Sequence, residues 1–371
     1  MKSVVICNEA VVDTYNFETF ELLGKNIGAG IVETADPEFI PNSQRDYNRV
    51  LIQKIAFSCN FRDKALMLHL FDRISKRSKE NLHKGFYSFI GSEFIGIVID
   101  KGNKVTTLSI GDVVIPDGSY PYRLSSGSNP GLPTNKASAY YEIFDEHQLL
   151  AVSKDLPHEI GAGITIGAQT VYSMLRRLNI QEGSNVLVTS CCSNTSLFAV
   201  EALLNRNINL YCLSTSEKAY LLKGQGIKDI VVGSISNPEV QAKLRTTCSS
   251  SEGFDYIIDP FVDLHINHLI DLMSYNSTYI FCGINSQHSL LNSPLLTDIG
   301  ALLFPKLIFK NISLIGNCLG TKEDLSVALD DFHSGKFRLK IDSIFNEDDV
   351  KGFFERSFKD QNRLGKVIFR Y

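Results

Sequence analysis

A chain of 371 residues exceeds one ordinary core, and 44% hydrophobic with 21% charged residues excludes disordered and fibrous classes. A net charge of −4, from 37 basic and 41 acidic side chains, leaves no field to gather nucleic acid or an anionic membrane surface. The eight cysteines form no C-x-x-C pair and several sit in apolar runs, as buried reduced thiols do, which argues against a disulfide framework or a zinc ribbon.

The first elements read as β. Ser3–Cys7 opens the chain without the apolar length of a signal peptide, and no window approaches the roughly 18 apolar residues of a membrane helix. A cytoplasmic protein is expected. Short apolar runs at Val50–Phe57, Phe94–Ile99, Asp112–Ile115 and Tyr140–Phe144 alternate with turns, the pattern of an antiparallel barrel-like domain. Gly102-Asn103 predicts a hairpin joining Ile95–Asp100 to Val105–Leu108. Leu66–Lys84 is a charged helix candidate, and Pro116–Lys136, rich in proline and glycine, is loop.

After Leu150 the pattern changes. Ile160–Leu178 predicts a helix with Arg176 and Arg177 in its last turn. Apolar runs then recur at helical spacing: Val186–Thr189, Ile208–Leu213, Ile230–Val232, Tyr256–Ile258 and Thr278–Cys282. Strands separated by ten to fifteen residues of helical pattern imply βαβ crossovers and a parallel sheet. A strand at Ser313–Gly316, a helix at Leu325–Gly335 and a strand at Lys366–Arg370 close the chain.

The stretch Asn185–Asn205, NVLVTSCCSNTSLFAVEALLN, carries the chemistry. An apolar strand runs into small, mostly polar residues and then a helix, whose unpaired N–H groups and dipole suit a pyrophosphate. No glycine occupies the turn. Asn194 can tolerate a left-handed backbone, and Ser196 is small enough for close helix packing. Ser190, Ser193, Thr195 and Ser196 are candidate phosphate donors. At the end of Ile208–Leu213 stand Ser214, Thr215 and Lys218, which suit a 2′-phosphate and hence NADPH, with NADH as the alternative. A βαβ unit that has lost its nucleotide is the competing reading. His265 and His268 share a helical spacing and are expected on a solvated face.

Seven segments in order resemble the medium-chain dehydrogenase/reductase superfamily, in its zinc-free quinone oxidoreductase and enoyl reductase branch. Cys59–Asp63 is similar to N-[FY]-R-D, Gly91–Gly96 to G-x-E-x-x-G, and Ile110–Val114 to G-D-x-V. Ser138–Glu142 resembles G-A-[YF]-A-E, Gly167–Tyr172 the T-A-Y helix start, Val186–Val200 V-L-V-T-G-A-x-G-G-V-G-L-F-A-V, and Gly365–Val367 the closing G-K-V. The resemblance implies a Rossmann doubly wound parallel sheet (151–309) and a GroES-like β-barrel catalytic domain (1–150 and 310–371). It implies reduction of an activated C=C by NADPH. Zinc-dependent members place Cys at Asn60, His at Ser92, and Cys or an acid at Ile166, so no metal is expected.

By the same resemblance Asn60 faces nicotinamide and substrate as an amide donor, with Arg62 and Asp63 beside it. Asp63 either orients a cation or caps the following helix. Tyr140 is a candidate proton donor, with core packing as the alternative. Gln169, Thr170, Gly283 and Asn285 face the cofactor in relatives, and Asn317 and Gly320 follow the next strand. The basic run Lys76–Lys84 and the loop Pro116–Lys136 suit an acidic or peptide-like substrate, or are plain solvated surface. Dehydroalanine reduction in lanthipeptide maturation is one such activity. A homodimer is compatible with the resemblance; a zinc-independent alcohol or aldehyde dehydrogenase and a non-catalytic relative are the rival readings.

Overall fold

The computed structural model describes residues 2–80, 85–118, 120, 131–248, 253–291 and 299–371, with side chains at all but 78–80 and 299–302. The chain forms two compact units, Met1–Ile166 with Ile341–Tyr371, and Gly167–Lys340. The boundaries fall beyond 150 and 309. Helix His158–Leu178 runs unbroken across the first, and strand Ser313–Gly316 and helix Lys322–His333 stay with the second unit.

The first unit holds two sheets. Lys2–Asn8 pairs antiparallel with Lys25–Glu33 and with Tyr87–Ser88, and Glu18–Leu22 completes that sheet. Beneath it lie Val5, Cys7, Val11, Phe17, Val32 and Phe86. The second sheet centres on Arg49–Ser58, which pairs with Glu93–Lys101, with Tyr141–Asp145 and with the closing strand Lys366–Arg370. The hairpin expected at Gly102-Asn103 does not form. Glu93–Lys101 instead pairs with Val113–Pro116, and a Cβ at Gly102 would lie 1.9 Å from the Asp46 carbonyl oxygen, so glycine serves close backbone approach there. The helix placed at Leu66–Lys84 starts earlier, spanning Phe61–Glu80.

The second unit is a six-stranded parallel sheet. In its own chain order the strands are Asn185–Val188, Asn209–Ser214, Ile227–Val232, Phe254–Asp259, Met273–Phe281 and Ser313–Gly316, arranged 3-2-1-4-5-6. Alternation along Asn185–Val188 sends Leu187 into a core with Tyr211, Val231, Leu244, Ile257 and Leu269, and Val186 and Val188 to the other face. Helices therefore cover both faces: Pro238–Thr247 and Val262–Leu269 contribute Leu244 and Leu269 to that core, while Phe198 of Asn194–Leu203 packs against Gly167. The first and fourth strands are neighbours whose connections run in opposite directions, the switch point where such sheets bind ligands. This is a Rossmann sheet, joined in the chain to a GroES-like unit.

Candidate active site and cofactor loops

At the switch point, Val188 is followed by Thr189 and then Ser190, whose φ of 46° puts it in the left-handed region. Ser190 makes the reversal, and Asn194, which could have tolerated that backbone, is instead the first residue of helix Asn194–Leu203. The turn closes through the Ser193 N–H, which donates to the Ser190 carbonyl at 2.7 Å. Ser193 is the N-cap, its hydroxyl accepting from the Ser196 N–H, and buried Ser196 donates its own hydroxyl to the Thr189 carbonyl at 2.7 Å. Thr195 lies in the first turn, where N–H groups lack intrahelical acceptors. Serine side chains thus close a turn that glycines usually make.

Ser214 is buried at the end of the second strand and accepts from the Ser216 N–H at 3.0 Å, while Thr215 is exposed and Lys218 half-buried. Cys192 bonds Ser214 and Cys191, and the Cys191 contact, followed by burial, pushes its thiol far above the ordinary range. The loop after Met273–Phe281 is shaped by Gly283, where a Cβ would meet the Pro260 carbonyl oxygen at 2.6 Å. Asn285 donates its backbone N–H to Asp263 at 2.7 Å and its side-chain amide to the Leu291 carbonyl. Gln169 donates to the Thr321 carbonyl, and Asn317 donates to the Thr170 and Leu319 carbonyls and accepts from Ser173 and Arg177. Gly320 lies against the Gln169 carbonyl.

His265 is not on a solvated face. It is buried, and its Nδ1 lies 2.7 Å from Asp259, while His268 pairs with Gln241.

In the first unit, Asn60 precedes helix Phe61–Glu80 and its backbone N–H donates to Asp63 Oδ2 at 2.8 Å, so Asp63 is a helix-start cap. The Asn60 Nδ2 donates to Ser92 at 3.2 Å and to Glu93 at 2.9 Å, and Oδ1 accepts from Lys366 Nζ at 2.8 Å. A lysine only donates, which fixes the amide's orientation. Lys366 is also paired with Glu93, and Glu93 further accepts from Ser58 and from the Ile166 N–H. Ser92 donates to Asp63, and Arg62 pairs with Asp63 while reaching Asn135. Burial raises the Asp63 carboxyl, opposed by Arg62, the Asn60 N–H and Ser92. Both amide hydrogens of Asn60 are engaged inside this network. An amide, a hydroxyl and a buried ammonium thus stand together with the carboxylates of Glu93 and Asp63.

Tyr140 is not brought to Asn60. Its hydroxyl contacts Gln53, and its carbonyl accepts from Lys54. Five residues of strand separate Gln53 from Ser58, about 17 Å at ~3.3 Å per residue. Its ring packs on Tyr141 and Tyr371. Missed by sequence reasoning were Lys366, Glu93, Asp259 and Asp263; Glu93 and Lys366 stood inside quoted motifs, but only the fold pairs residues 273 positions apart. The basic run Lys76–Lys84 has Lys76 and Arg77 exposed and lies otherwise outside the residues with described side chains, as does most of Pro116–Lys136.

No family model matches the chain. Acryloyl-coenzyme A reductase from Metallosphaera sedula is 23% identical over 303 residues, which cover 77% of this chain and 86% of that protein. A 2-octenoyl-CoA carboxylase reductase, solved in complex with NADP and 2-octenoyl-CoA, superposes with a TM-score of 0.73 at 17% identity, covering 100% of this chain and 87% of its own. An NAD-dependent alcohol dehydrogenase matches equally well, with a TM-score of 0.73, 17% identity and full coverage of both chains. The sequence relatives and structural neighbours are medium-chain dehydrogenase/reductases, and the chain shares their fold.

Proposed function

We propose that this protein is an NADPH-dependent reductase of activated C=C bonds that works without zinc. What supports the reading is the closed Asn60–Glu93–Lys366 network, together with the resemblance by which Asn60 and Ser92 occupy the positions of a Cys and a His in zinc-dependent members. Oxidising an alcohol or reducing its carbonyl product normally calls on a Lewis acid; hydride addition to a C=C conjugated to a carbonyl does not. A nicotinamide cofactor, when bound, would supply the hydride for the β-carbon, and with a proton at the α-carbon the products would be the saturated compound and NADP⁺. The serine-capped helix start, with Ser190, Ser193, Asn194, Thr195 and Ser196, holds the pyrophosphate. Ser214, Thr215 and Lys218 meet the 2′-phosphate, Thr170, Gly283 and Asn285 line the nicotinamide, and Asp63 holds Asn60 and Ser92 in place. Tyr140, at the other end of its strand neighbour, takes no part in proton transfer.

The similarity to acryloyl-coenzyme A reductase favours an acyl thioester as substrate. A dehydroalanine in a peptide is the same class of acceptor and extends the assay. The unit also exposes Phe304, Ile308 and Phe309 on helix Ile299–Lys310, an apolar face that supports association of two copies as a homodimer.

The test follows NADPH oxidation by the purified protein with acryloyl-CoA and with a dehydroalanine peptide, with and without a chelator. Turnover indifferent to chelation, faster with NADPH than NADH, is expected. Stoichiometric zinc with activity lost on chelation would overturn the metal-free reading, and a preference for NADH would overturn the role of Ser214 and Lys218.

A further inference from the structure

Two buried carboxylates stand four residues apart in Asp259-Pro260-Phe261-Val262-Asp263, and each grips a different loop at the switch point. Asp259, the last residue of the fourth strand, is fully buried. It accepts from the Thr189 hydroxyl at 2.7 Å, from His265 Nδ1 at 2.7 Å, from the Phe261 N–H at 2.9 Å and from the Tyr279 hydroxyl. Thr189 is the residue on which the phosphate turn hangs: its N–H donates to Ile258, and its carbonyl accepts the Ser196 hydroxyl. Burial would raise the Asp259 carboxyl, but His265, Tyr279 and the Phe261 N–H more than offset that and hold it ionised.

Asp263, almost fully buried in the first turn of helix Val262–Leu269, faces the other loop. It accepts from the Asn285 N–H at 2.7 Å and from the N–H and hydroxyl of Ser286, each at 2.9 Å. The Val262 N–H donates to the Gly283 carbonyl, so the brace and the 283–286 loop are bonded along both backbone and side chain. Five residues therefore tie down both loops assigned to the cofactor's two ends.

We infer that Asp259 and Asp263 are the positioning residues for the nicotinamide cofactor, setting by buried carboxylates the loop geometry that a glycine-rich turn sets by backbone alone. The inference rests on the cofactor-binding reading above. Neither carboxylate touches the cofactor. Asp259 acts through Thr189 on the pyrophosphate half, and Asp263 acts through Asn285 and Ser286 on the nicotinamide half.

The division of labour gives a readout that general destabilisation does not produce. NADPH and 2′-phospho-ADP-ribose, which lacks only the nicotinamide, are titrated against the full-length protein and its variants. Thr189→Val, an isosteric change that removes the hydroxyl, is expected to weaken both ligands about 10-fold, the effect of one lost buried hydrogen bond. Thr189→Ser is expected to restore both. Asp263→Asn is expected to weaken NADPH by a similar factor and leave 2′-phospho-ADP-ribose unchanged; Ser286→Ala, a milder cut at the same contact, gives the same direction. Equal weakening of both ligands by the Asp263 and Ser286 variants, or no restoration by Thr189→Ser, overturns the inference while leaving cofactor binding intact. A wild-type protein that binds neither ligand overturns the functional reading and this inference together.

Discussion

Lys366 shows how one side chain can close a site. Its ammonium is buried with Glu93 and Asn60 around it, and neither charge of the Lys366–Glu93 pair has water to fall back on. Removing one partner of such a pair strands the other, whereas removing both costs far less. Lys366→Met is therefore expected to lose about 3–5 kcal/mol of stability in urea unfolding. Adding Glu93→Gln to that background should recover more than half of the loss; a single variant that unfolds like the wild type would contradict the network. The segments containing both residues were legible as family motifs. Their pairing was not, because nothing in sequence spacing brings position 93 to position 366.

At the level of elements, the phosphate turn illustrates what small residues contribute. The strand, the turn and the helix are evident from an apolar run meeting polar residues, and the Ser193 cap follows the ordinary preference for serine at a helix start. The residue that takes the left-handed backbone was not evident, because several of the turn residues are small and polar, and the choice is made by the Ser193 N–H to Ser190 carbonyl bond. Ser190→Gly is expected to be neutral or stabilising by up to ~1 kcal/mol, and Ser190→Val to destabilise by more than ~1 kcal/mol, since a β-branched residue resists positive φ. Thermal melts of the two variants decide the matter: Val as stable as Gly would place the reversal elsewhere. Gly102 teaches the complementary lesson. Its neighbours spell a hairpin, but the chain uses it to pass close to Asp46.

For the whole molecule, the exposed apolar face on helix Ile299–Lys310 predicts association. Phe309 is 78% exposed and Ile308 72%, a large apolar surface to leave in water. Light scattering on the wild type is expected to give a dimer, and Phe309→Glu a monomer with unchanged melting; a monomeric wild type would remove the dimer. Among the described residues no helix is long and apolar enough to cross a membrane. What the sequence by itself determined was the order of elements, the parallel sheet and the family segments, because apolar periodicity and turn residues act over a few residues at a time. What only the tertiary structure decided was which side chains meet. It separated Tyr140 from Asn60 along a strand, moved His265 from an expected solvated face to a buried carboxylate, and set Lys366 beside Asn60. Burial is what gives those meetings their weight, since a buried charge or amide must find its partner within the protein wherever in the chain that partner lies.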